Sequence, residues 1–419
     1  MCRTPIESRQ YDVVLWGATG FTGRLVAEYL VEGLGASKIR LALGGRRRSK
    51  LEALRGRLAT QSRLAADLPI IVADSYDRSA LDAMAAGTKV VCSTVGPYAT
   101  FGHELVAACV EAGTDYCDLT GEVPFIREMI DRHHERARIT GARIVHCCGF
   151  DSIPSDLGTL MLHEAAVDRF DARLDGATLV VGASRGGISG GTVASLTNVI
   201  EEARTNPSVR RIVNDPYALN PEGDRHGPDG PDLVSPRFDD ELCRWTGPFV
   251  MASINTRVVR RSNALLDWRY GRDFRYAEVT GFPSGVRGRL GASAMSVGFG
   301  GFVAALSWGP TRLLLKKTIL PSPGEGPSRE TRESGFFNLC VHGRGRTADG
   351  ERILLEADVQ GQNDPGYGAT AKMLGESALC LALDEADCSG AGGVLTPAVA
   401  MGQRLLHRLR RAGMIFEVR

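Results

Sequence analysis

Short apolar runs alternate with amphipathic stretches through the first third of the chain. Asp12–Trp16, Ile39–Leu43, Ile70–Ala73, Val90–Val95, Tyr116–Asp118 and Arg143–Cys148 read as strands. Gly23–Glu32, Lys50–Leu58, Leu81–Ala86, Gly102–Ala112 and Phe125–Thr140 read as the helices between them. Such alternation predicts a parallel, doubly wound sheet with right-handed crossovers.

Beyond residue 155 the pattern changes. Ala177–Ser184 reads as a strand and Thr192–Arg204 as a helix. Asn206–Pro236, rich in Pro, Gly and Asp, reads as a long surface loop. Val250–Val259, Phe274–Thr280, Phe336–Gly343 and Arg352–Val359 read as strands, and Ala369–Leu383 and Ala398–Leu409 as closing helices. The expected fold is α/β: a Rossmann-type doubly wound parallel sheet over residues 1–155, then an α+β domain on a mixed or antiparallel sheet over 156–365. That second domain is the expected seat of substrate binding and of any homodimer contact. Residues 366–419 are expected to return to the first domain.

The segment 291–310 (GASAMSVGFGGFVAALSWGP) holds no charge. Its length would span a bilayer, but five glycines dilute its hydrophobicity. It reads instead as a buried or membrane-surface segment, or as a wall for an acyl chain. No apolar run precedes Tyr11, so no signal peptide is expected.

Composition narrows the classes. Over 419 residues, 50 basic and 49 acidic side chains leave a net charge of +1, which offers nothing to a nucleic acid. Ten cysteines occur without a CxxC, and Cys147 and Cys148 are read on a strand with opposite facings. Neither a disulfide framework nor a metal site is expected. His133-His134-Glu135 lacks the HExxH pattern and reads as a solvated helix face.

The candidate chemistry gathers at strand ends. Gly17-Ala18-Thr19-Gly20-Phe21-Thr22-Gly23 follows the first strand and opens a helix. Gly17 would turn the chain, Gly20 would let backbone approach a pyrophosphate, and Gly23 would let helix pack on strand. The phosphates would sit on the helix N-terminus. After strand two the chain runs Gly44-Gly45-Arg46-Arg47-Arg48 where an NAD-binding protein places an acid. Guanidinium groups such as Arg46 and Arg47 fork onto a 2′-phosphate, so NADPH is favoured over NADH. Asp74, ending strand three, is placed at the adenine edge. Thr94-Val95-Gly96-Pro97 would form a shelf near the nicotinamide ribose. Tyr98 is the first candidate for a proton or hydrogen-bond donor, with Tyr116 and Thr120 behind it; a ring merely packed over the cofactor is the competing reading of Tyr98. Asp151 and Ser152, before Pro154, read equally well as a helix start.

The stretches GATGFTG, STVGPY, DYCDLTGE and GFDSIPSDLG, in that order, resemble the saccharopine dehydrogenase-like oxidoreductases. SGGTVAS at 189–195, NTRVVRRSNAL at 255–265, PGEGPSRE at 323–330 and GVLTPAVAMG at 393–402 resemble the enoyl reductase branch of that family, the mycobacterial trans-acting enoyl reductases. The resemblance implies NADPH-dependent reduction of a carbon–carbon double bond in a polyketide or fatty acyl intermediate of phthiocerol-type lipids. It also implies presentation of that acyl group by a polyketide synthase carrier domain. The expected location is cytoplasmic, with peripheral contact at the inner membrane face through 291–310. A saccharopine-type C–N oxidoreductase and a non-catalytic NADP-binding regulator are the alternatives. Gly182-Ala183-Ser184-Arg185-Gly186 matches GxSxG, yet no helix follows at once and no partner Asp and His can be nominated.

Overall fold

The computed structural model describes residues 8–186, 190–311, 326–384 and 391–419. Ser189 and residues 323–325, which belong to stretches singled out above, lie outside them. The described chain builds two seven-stranded sheets.

Six strands of the first sheet come from the N-terminal third: β1 (Tyr11–Trp16), β2 (Leu41–Gly45), β3 (Ile70–Val72), β4 (Thr88–Ser93), β5 (Asp115–Asp118) and β6 (Arg143–Val145). Their order is β6-β5-β4-β1-β2-β3, all parallel, with the topological switch between β1 and β4. Val13, Val14, Leu15 and Trp16 of β1 are all buried, as a central strand covered by helices on both faces requires.

β7 (Leu174–Arg185), β8 (Arg237–Asp239), β9 (Arg244–Gly247), β10 (Arg275–Phe282), β11 (Phe336–Arg346) and β12 (Arg352–Gln362) form the second sheet. It is mixed: β10 runs parallel to β7, and the other pairs are antiparallel. The C-terminus is shared between the sheets. β13 (Gly393–Leu395) extends the first beside β6, and β14 (Ile415–Val418) edges the second beside β12. The helix Thr370–Leu383 returns to the first sheet, where the Tyr29 hydroxyl donates to Glu376 at 2.5 Å.

Several expectations change. Val250–Val259 belongs to a helix, Ala252–Leu265. Its β-branched residues favour strands locally, but the segment is buried on nearly every side, from Ile254 through Asn263, as a helix enclosed by the fold is. From this helix Arg260 pairs with Asp229 at 2.7 Å and Arg257 with Asp232. Those two acids lie in the stretch read as a surface loop. That stretch contains a helix, Pro207–Asn214, and buries Tyr217, Ala218, Leu219 and Asn220. β6 ends at Val145, so Cys147 and Cys148 are past the strand; Cys147 is left-handed at φ 62°. Ser184 stays within β7 and occupies no sharp strand-to-helix elbow.

The uncharged segment is the largest departure. It lies in a 23-residue helix, Gly285–Ser307, long and apolar enough to cross a membrane. It does not bury itself in the fold: only 11% of its most apolar window is covered.

Candidate active site at the carboxyl edge of the first sheet

β1 leaves the sheet at Gly17, whose φ of +86° suits glycine. The turn is closed from both sides. A Cβ on Gly23 would stand 2.2 Å from the Gly17 carbonyl, and one on Gly17 2.6 Å from Val95. Thr94 Oγ1 contacts the carbonyl oxygens of Trp16 and Gly17 at 3.2 Å each, tying the end of β4 to the turn. Gly20 differs: its Cβ position meets only the Gly17 carbonyl, at 3.3 Å, and the residue faces solvent. Helix Phe21–Glu32 therefore begins with open backbone amides, a cradle for a pyrophosphate.

Around it stand the other residues picked from the sequence. Ala18 is buried under the turn, with Thr19 and Thr22 half-buried. Phe21 sits edge-on to Tyr367, ring centroids 4.7 Å apart, and the guanidinium groups of Arg24 and Arg332 each lie 5.5 Å from its centroid. Arg46, Arg47 and Arg48 are exposed just past β2, and no salt bridge holds them among the described residues. Asp74 is exposed past β3, accepting from the Tyr76 amide at 3.1 Å. Gly96 is exposed and Pro97 half-buried, forming the shelf past β4.

The three hydroxyls nominated as donors turn inward. Tyr98 is 5% exposed; its hydroxyl donates to the Ser93 carbonyl and accepts from the Leu119 amide, both at 3.2 Å. Burial, then the Asp118 charge, push its pKa well above the usual tyrosine value. Tyr116 is fully buried and donates to Asp118 at 3.0 Å. Burial, followed by Asp118, raises its pKa also. Thr120 is buried and accepts from the Glu122 amide at 3.2 Å. All three packing positions hold the shelf and the β5 turn in shape; none presents a hydroxyl to the crevice.

A carboxyl the sequence left as a turn residue stands out instead. Asp151 follows β6, half-buried, and among the described residues its carboxyl accepts no hydrogen bond that would favour its charged form. Burial, then the negative Asp118, raise its pKa to about 7. Its neighbour Ser152, the residue before helix Ile153–Phe170, donates to Asn255 at 3.1 Å rather than capping the helix. Asn255 in turn donates to Glu278 at 2.9 Å, and Tyr276 donates to Glu278 at 2.8 Å. Burial raises Glu278 to about 7. This chain of hydrogen bonds crosses from the first sheet to the second. The only sequence signal for Asp151 was its place at a strand's carboxyl end, which it shared with several other polar residues.

Taken together, the glycine turn on a helix N-terminus, the exposed arginines past β2 and the crevice past β4, β5 and β6 define an NADP-binding oxidoreductase. The family described as saccharopine dehydrogenase NADP binding domain matches residues 13–145. A Mycobacterium tuberculosis protein provisionally named a trans-acting enoyl reductase is 46% identical, covering 99% of this chain and 98% of its own. The trans-acting enoyl reductase of Mycobacterium bovis (strain BCG / Pasteur) is 42% identical, over 98% of each chain. Apo saccharopine dehydrogenase from Saccharomyces cerevisiae has the same fold, with a TM-score of 0.56, 14% identity and coverage of 97% and 99%. The chain belongs to the saccharopine dehydrogenase-like oxidoreductases, in the group whose curated members are named trans-acting enoyl reductases. Its cofactor is NADPH.

Proposed function

We propose that the protein reduces the carbon–carbon double bond of an α,β-unsaturated acyl or polyketide thioester, in the assembly of phthiocerol-type lipids. The observation that carries this reading is the 42–46% identity, over nearly the whole chain, to relatives named trans-acting enoyl reductases. NADPH, when bound, supplies a hydride to the β-carbon.

The chain's own groups supply the rest. The amides opening helix Phe21–Glu32 and the Arg46–Arg47 pair hold the phosphates. The Val95–Pro97 shelf orients the nicotinamide end, and Glu122 fixes that shelf. Asp151, its pKa raised to about 7 by burial and by Asp118 and so partly protonated at neutral pH, gives a proton to the α-carbon. One hydride and one proton thus saturate the bond, and the Asp151 carboxylate recovers its proton from solvent. A carrier domain of a polyketide synthase is the proposed source of the acyl group.

The test is NADPH oxidation measured against enoyl thioesters of increasing length, with saccharopine plus NADP+ as control. Turnover of the thioesters alone supports the reading. Turnover of saccharopine alone replaces it with C–N chemistry, and tight NADPH binding without any turnover replaces it with a regulatory role.

A further inference from the structure

The helix Gly285–Ser307 has two unlike faces. One is pinned to the protein, on β9, on β10 and against helix Gly190–Thr205. Small residues allow the close approach: a Cβ on Gly291 would lie 2.8 Å from the Phe282 ring, and one on Gly247 3.5 Å from the Ala292 carbonyl. The Arg289 guanidinium lies over the edge of this contact, 5.7 Å from the Trp245 ring centroid, and stays exposed.

The other face is an unbroken apolar stripe. Val286, Leu290, Ala294, Val297, Gly301, Ala304 and Trp308 recur every three or four residues, and all are exposed. Val286 is 74% exposed, Val297 76% and Trp308 63%. The stripe is about 35 Å long. A contiguous apolar strip of that length signals a partner.

Charge says which partner. Between Glu278 and Glu325 the sequence holds no acidic residue and five basic ones. Two of these, Arg287 and Arg289, sit exposed in the first two turns of the helix. A second copy stacked stripe to stripe would bring the same basic segment and no acid to meet it. An anionic lipid surface meets both features, taking apolar side chains among its acyl chains and guanidinium groups at its phosphates. Trp308, at the far end, suits the head-group boundary. A transmembrane course is excluded by the pinned face, which would have to leave the sheet.

We propose that helix Gly285–Ser307 docks the protein on an anionic phospholipid bilayer, lying flat with the stripe from Val286 to Trp308 immersed. The inference is independent of the reductase reading, because it is tested without turnover.

The test is flotation with vesicles of phosphatidylcholine containing one-third phosphatidylglycerol. The unaltered protein floats with them and stays behind with phosphatidylcholine alone. Leu290→Asp combined with Val297→Asp lowers bound protein at least tenfold while NADPH affinity and melting stay unchanged. Arg287→Glu lowers it several-fold and reduces its sensitivity to salt. Should the double variant fold poorly, quenching of Trp308 by brominated lipid reads the same contact, and Trp308→Phe removes the signal. Absence of flotation, flotation untouched by the double substitution, or a dimer that this substitution splits into monomers overturns the proposal. The last outcome would assign the stripe to a second copy.

Discussion

The carboxylate of Glu122 accepts a 2.7 Å hydrogen bond from the hydroxyl of Ser195, joining the end of β5 to the helix Gly190–Thr205. The same carboxylate accepts from the backbone amides of Tyr98 and Ala99, at 3.0 and 2.8 Å. One side chain, 1% exposed, therefore holds the shelf beyond β4 and the element that faces it.

Glu122→Ala leaves those two amides without their acceptor. The expected loss is about 2–3 kcal/mol of stability, from unpaired buried groups. Ser195→Ala removes one donor and costs about 1 kcal/mol. Urea unfolding of both variants checks the ranking; equal losses would mean that the shelf is held by other contacts.

Asp151→Asn keeps the size of the side chain and removes its proton. NADPH affinity is expected to stay within twofold, while kcat falls by about a hundredfold or more, the usual weight of a general acid. In the unaltered enzyme the working form is the protonated one. With a pKa of about 7, activity is full below that value and declines as pH rises through it. The variant should lose this limb of the pH profile. An unchanged limb in Asp151→Asn would place the acid elsewhere.

Two glycines of one turn should respond differently. At Gly20 an added Cβ meets only the Gly17 carbonyl, at 3.3 Å, which a shift of a few tenths of an ångström relieves. Gly20→Val should fold with an unchanged melting temperature and lose NADPH binding, because the side chain occupies the pyrophosphate's place. At Gly23 even a methyl group meets the Gly17 carbonyl at 2.2 Å. Gly23→Ala should lower the melting temperature as well. Thermal scans with and without NADPH separate the two.

Arg46→Ala combined with Arg47→Ala tests cofactor choice. These exposed guanidinium groups have no salt bridge to give up among the described residues, so stability should barely change. The preference for NADPH over NADH, expected to be at least tenfold or about 1.4 kcal/mol, should largely vanish. Fluorescence titration with both cofactors reads it directly. Equal affinity in the unaltered protein would remove the arginines from the 2′-phosphate.

Local pattern decided the first sheet. Most of its first six strands are short apolar runs with a helix-forming stretch behind them, and the glycines at 17 and 23 meet backbone needs set within one turn. The arginines past Gly45 were legible for the same reason: a strand end fixes where its next residues stand. At particular positions local signals misled, because the decisive partners are remote. Val258 and Val259 look like strand residues until Asp229 and Asp232, 31 and 25 positions before their partners, take up Arg260 and Arg257. Tyr98 reads as a donor until Ser93 and Leu119 enclose its hydroxyl. Asp151 reads as a turn until burial and the charge of Asp118 raise its pKa. The apolar character of 291–310 was plain in the sequence, but only the packing of Gly291 and Ala292 on the second sheet decided which face stays open. A residue's type and spacing set what it can do; the groups that folding brings from elsewhere in the chain set whether its polar atoms are free to do it.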